Sequence, residues 1–167
     1  MSKKKEMCFR VFFCAMLVFW MILIFSFSGQ NGEKSGTVSK NGIEIALEIL
    51  HPSHTAEDAE MKRTIVEEAQ LLIRKSAHFL IYAGLGFWSL GTLYTFSVNR
   101  RIAVSTALLF CFFYASVDEM HQYFVPGRSG AISDVYLDTL GAVAMIAVMT
   151  FAEFLRHPER YKHLRDK

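Results

Sequence analysis

The chain has 167 residues, enough for one compact domain; 52% of them are hydrophobic, with 15 Phe, and only 20% are charged. That is too apolar for an ordinary soluble domain and too charged for a chain lying wholly in lipid, which points to a small helical membrane protein. A net charge of +2 says little about partners, but the lack of a basic stripe interleaved with aromatics argues against a nucleic-acid binder.

After "MSKKKE", the first apolar block covers about 9–28. A basic start and small residues at Ser26 and Ser28 also suit a cleaved leader. The apolar core exceeds a signal peptide's usual length of about 7–15 residues, however, so an uncleaved span is expected. The segment that follows, about 29–75, opens on "SGQNGEKSGTVSKN", a flexible polar turn. Ile43, Ala46, Leu47 and Leu50 then recur at helical spacing, predicting a short amphipathic helix on the bilayer surface or capping the bundle. His51-Pro52 ends it, because a residue before proline avoids the helical region. Thr55 with Asp58 resembles a capping box for a second helix, with Ile65, Val66, Ala69, Leu72 and Ile73 on its apolar face.

Three further apolar blocks cover about 76–98, 102–122 and 132–155. Each approaches the roughly 20 residues that cross a bilayer as a helix. The "NRR" link makes the first two an antiparallel hairpin. The expected fold is therefore all-α: an integral-membrane four-helix bundle, one domain over 1–167, with amphipathic helices between spans one and two.

Lys3, Lys4, Lys5, Arg10, Arg100, Arg101, Arg156 and the basic tail after it flank the spans on one side. Both termini should then be cytoplasmic in a multi-pass plasma-membrane topology, with 29–75 and the loop after Tyr123 outside. His157 and His163 belong to that basic tail, which would touch anionic lipid, whereas His51 and His54 read as solvated. Cys8, Cys14 and Cys111 have no zinc-motif spacing and their odd number rules out a full disulfide framework, so all three read as small buried residues. Gly84, Gly86 and Gly91 have no phosphate-loop spacing and read as close helix contacts.

A rise of about 1.5 Å per residue places Ser28 about 27 Å from Arg10, and His78 about 31 Å from Asn99. By the same measure Asp118 lies about 26 Å from Arg101, and Asp138 about 27 Å from Arg156. Four polar positions, one per span, thus fall in one layer at the outer edge of a hydrocarbon core about 30 Å thick. Arg74, His78 and Tyr82 share a helix face, as do Asp118, His121 and Gln122 if the third span continues past Val117, and Asp134, Asp138 and Gly141. Ionisable groups at this depth face protein or water and point to function.

"FSFSGQNGEKSGTVSK", "RKSAHFLIYAGLGFW" and "DEMHQYFVPGRSGAISDVYLDTLGA" resemble, in order, the blocks of the VanZ-like membrane protein family. The likeness runs from about Ser26 to Ala142 and takes in Arg74, Lys75, His78, Tyr82, Asp118, Glu119, His121, Gln122, Arg128, Asp134 and Gly141. Two positions depart from it: Ile81 stands where relatives often carry glutamate, and Asp138 where they often carry asparagine. The resemblance implies a bacterial plasma-membrane protein giving low-level resistance to teicoplanin. It implies a phenotype, not a reaction.

Three readings of the layer stay open. The structural one pairs Arg74, Lys75 and Arg128 with Asp118, Glu119, Asp134 and Asp138. The second is a pocket for a membrane lipid, with a lipid-linked cell-wall precursor or a lipoglycopeptide as further partners. Arg74, Lys75, Tyr82, Glu119, Gln122 and Arg128 would bind there, and Ser129 or Ser133 would cap the last span, whose N-terminus favours anions. The third is an enzyme, an acid–base or metal-assisted hydrolase or transferase on a lipid-linked substrate, with His78, Asp118, His121 and Asp134 or Asp138 as catalytic candidates or metal ligands. Asp-Glu-x-x-His carries one histidine where a zinc-protease helix has two, so the metal ligands and any cofactor stay open.

Overall fold

The computed structural model describes residues 2–30, 41, 43, 45, 48, 49, 56–126, 128 and 130–157, and among them it is helical with no strand. Four long helices make the bundle: α1 Lys3–Ser28, α2 Ala56–Thr95, α3 Arg100–Tyr123 and α4 Ile132–Arg156. Most of the polar turn expected after Ser28, residues 31–40, lies outside the described residues, as do His51-Pro52 and the Thr55 cap. So does most of the amphipathic helix expected over 43–50. The residues described there are helical, and Glu48 pairs with Lys62 of α2 at 2.7 Å.

By length and composition, α1, α3 and α4 can cross a membrane. The second predicted span lies in the latter half of α2 and is not among them. Its position in the bundle explains why. From Tyr82 to Thr92 this helix is buried at Tyr82, Ala83, Leu85, Ser89, Leu90 and Thr92, so it faces protein and its sequence carries Gly, Ser and Thr in place of lipid-facing aliphatics. α1 is the opposite case. Only Ile24 and Ser28 are buried on it, while Phe12, Val18, Phe19, Ile22 and Phe25 are exposed as a lipid-facing surface needs. Cys8 accordingly lies exposed and Cys14 half-buried on α1, and only Cys111 takes the buried position expected of all three.

Polar side chains tie the helices where carbonyls are within reach. Trp20 Nε1 donates to the Ile81 carbonyl at 2.7 Å, Arg10 Nε to that of Thr95 at 2.9 Å, and Arg100 Nη2 to that of Thr150 at 2.8 Å. The short link between α2 and α3 turns at Ser97, whose φ is 55°, and Asn99 caps α3 by accepting from the Arg101 N–H at 3.0 Å. α4 starts differently from expectation. Its N-cap is Ala131, with no side-chain cap bond. Ser133 lies inside the helix and donates to Asp134 at 3.4 Å, and Ser129 is outside the described residues.

α3 organises the interior. Ala103, Ala107, Cys111 and Ala115, spaced by four, are all 0% exposed. Small residues in this register let neighbouring backbones approach. The same face then continues through Asp118, Glu119 and Gln122, all buried. One stripe is thus apolar along most of the bundle and ionisable at one end.

Candidate functional site

Each helix brings a polar side chain to that end. Asp118 Oδ2 accepts from Ser28 Oγ of α1 at 2.7 Å, from Tyr82 OH of α2 at 3.0 Å, and from Gln122 Nε2 one turn along α3 at 3.2 Å. Gln122 Nε2 also lies 3.4 Å from Ser28 Oγ, and its carbonyl oxygen accepts from Arg128 Nη1 at 3.2 Å. Arg128 further donates to the Phe27 and Gln30 carbonyls at 2.9 and 3.0 Å, folding the loop after α3 over the end of α1. The loop is tied down from below as well: Glu119 Oε2 accepts from the Ala131 N–H at 3.1 Å.

These groups border a cavity of about 540 Å³ open between α1 and α2. Its polar wall includes Arg74, His78, Tyr82, Asp118 and Arg128, and its apolar wall includes Ile24, Phe27, Leu71 and Ile81. Burial, and then repulsion from Arg74, draw the Arg128 guanidinium below its ordinary range, while Asp118 and Glu119 pull the other way. Two guanidiniums facing one space favour an anion between them.

Other candidates lie around this cavity or away from it. His121 stacks on Phe25 with ring centres 4.4 Å apart, its Nδ1 is buried without a hydrogen-bond partner among the described residues, and it is not part of the cavity wall. Continuation of α3 to Tyr123 thus puts Asp118 and Gln122 in the interior and turns His121 toward α1. Lys75 is exposed and is not part of the cavity wall, and Asp134 is half-buried in the first turn of α4. Glu119 lies under the loop and borders a second space of about 420 Å³ with Phe112, Met120 and Tyr136.

Asp138, 0% exposed, faces His78. The nearer oxygen, Oδ1, is 3.3 Å from Nδ1 but lacks hydrogen-bond geometry, whereas Oδ2 has it at 3.5 Å. His78, Glu119 and Asp138 form the one group among the described residues whose metal-ligating atoms all lie within 4.8 Å of one another. The enzyme reading drew on Asp118, His121, His78 and Asp134 or Asp138; His78 and Asp138 belong to this group, whereas Asp118 is engaged by three donors and His121 stacks on a phenyl ring.

The candidate residues drawn from the sequence left out Ser28, Glu67 and Gln70 of the cavity wall. Ser28 falls in the layer that helical rise predicts, and Glu67 and Gln70 continue the Arg74–His78 face backwards at helical spacing. The signal was present for all three. A family model described as VanZ/LLP1 matches residues 13–153. No curated protein and no solved structure matches the chain.

Proposed function

Since the chain belongs to the VanZ/LLP1 family, we propose that its cavity holds the anionic headgroup of a membrane lipid or lipid-linked cell-wall intermediate at the outer leaflet. Protection against teicoplanin and related lipoglycopeptides would follow from that binding. The observation that carries the reading is the two-sided cavity wall: Arg74 and Arg128 beside Ile24, Phe27, Leu71 and Ile81. An amphiphile with a phosphate or carboxylate head and a hydrocarbon tail has that division of chemistry. The basic residues at the other end of the bundle favour a cytoplasmic placement for both termini, which sets the cavity outward.

Thermal unfolding of the full chain in detergent tests binding. Undecaprenyl phosphate should raise the melting point, inorganic phosphate should raise it less, and Arg74→Ala should abolish the rise. In a susceptible bacterium, expression should lower teicoplanin sensitivity, and Arg74→Ala at equal abundance should remove that protection. No response to any lipid phosphate or lipid-linked wall precursor would end the binding reading.

A second reading is favoured by one contact. His78 lines the cavity with buried Asp138 behind it, the arrangement of a general base held in orientation by a carboxylate. A hydrolase or transferase of that kind releases a product from a lipid-linked substrate, so the absence of product from purified protein separates binder from enzyme.

A further inference from the structure

Three helices each send one metal-capable side chain to a point beneath the loop: His78 from α2, Glu119 from α3 and Asp138 from α4. Glu119 is 4% and Asp138 0% exposed, and each has one oxygen, Oε1 and Oδ1, without a hydrogen-bond partner among the described residues. Two carboxylates at this depth are costly unless a cation or proton answers them. A single imidazole N–H can serve only one oxygen, and it already has Asp138 Oδ2. Glu119 cannot turn freely toward another partner, because the Ala131 N–H holds its Oε2.

We propose that His78, Glu119 and Asp138 bind one divalent first-row cation, Zn²⁺ or Mn²⁺. The donor set is one nitrogen and two carboxylate oxygens. Imidazole suits Zn²⁺, the carboxylates suit Mn²⁺ as well, and the absence of thiolate disfavours softer ions. The two carboxylate charges balance the ion, so the filled site adds no net charge to the interior. Ligands about 2.0–2.2 Å from a tetrahedral ion lie about 3.3–3.6 Å from each other. The set, with its atoms within 4.8 Å, closes by side-chain movements of up to about an ångström. The bond from the Ala131 N–H to Glu119 orients one ligand from behind, as outer partners of metal sites do. The site stands apart from the lipid-binding reading: it needs no anion in the cavity and shares only His78 with its wall.

The test is metal analysis of the full chain purified in detergent without chelator, together with its melting point. Close to one equivalent of Zn²⁺ or Mn²⁺ per chain is expected. A chelator should lower the melting point, and adding the ion back should restore it. Glu119→Gln and Asp138→Asn keep shape and acceptor atoms; each should lose the metal and the response to chelator. Glu60→Gln, on the exposed surface of α2, should keep both. The proposal is overturned if the unaltered chain carries no metal and neither ion moves its melting point. It is equally overturned if metal persists in the Glu119→Gln, Asp138→Asn double variant, which would place it elsewhere, such as on exposed Cys8. Should the variants fail to fold, the chelator and add-back result on the unaltered chain decides.

Discussion

Ser28, Tyr82 and Gln122 all donate to the same oxygen of Asp118, from three different helices. Removing the acceptor therefore takes a partner from donors on α1, α2 and α3 at once. Each buried donor left without a partner costs about 1–3 kcal/mol. Asp118→Ala should lower stability by at least about 2 kcal/mol, whereas Tyr82→Phe, which leaves Asp118 two donors, should lower it by about 1 kcal/mol. Thermal or denaturant unfolding in detergent measures both. Equal small losses would mean that the network does not hold the helices together. Helical phase put Asp118, His121 and Gln122 on one face, but a face is wide enough to divide. Asp118 and Gln122 turn inward and His121 stacks on Phe25, a distinction set by where α1 packs.

Between elements, close approach matters more than side-chain size. A Cβ on Gly86 of α2 would lie 2.8 Å from the carbonyl oxygen of Ala142 and 3.0 Å from its Cα, on α4. Backbone cannot rotate aside, so the helices themselves must part. Gly86→Val should therefore destabilise the bundle by about 1–3 kcal/mol, the usual range for overpacking. Gly91 differs, because its Cβ would meet the ring edge of Phe13, which can turn. Gly91→Ala should cost less, and melting points of the two variants give the order; the reverse order would show that α2 and α4 are not pressed together at Gly86. The absence of a phosphate-loop pattern around these glycines pointed to packing. Which helix each one meets is a tertiary fact: Trp20 at Gly84, Ala142 at Gly86 and Phe13 at Gly91.

For the molecule as a whole, the asymmetry runs from end to end. Arg10, Arg100 and Glu153 mark one end, where Arg100 lies 3.4 Å from Glu153, and the Asp118 network, the His78–Asp138 contact and Arg128 mark the other. If basic flanks stay in the cytoplasm, a reporter fused after Lys167 should be cytoplasmic and one placed at Tyr123 should be external. The opposite result would remove the outer-leaflet assignment while leaving the cavity intact.

Membrane character, helical class and the gathering of polar groups into one layer were determined by the sequence itself. They depend on apolar run length, on a fixed rise per residue and on the cost of charge in lipid, all of which are local or additive along the chain. Partnership was decided by the tertiary structure alone. Asp118, Glu119 and Asp138 are alike as carboxylates in sequence, yet one collects three donors, one holds down a loop and one faces an imidazole. Those differences arise from the rotation and spacing of helices far apart in the chain, and single-helix periodicity cannot encode how two helices turn toward each other.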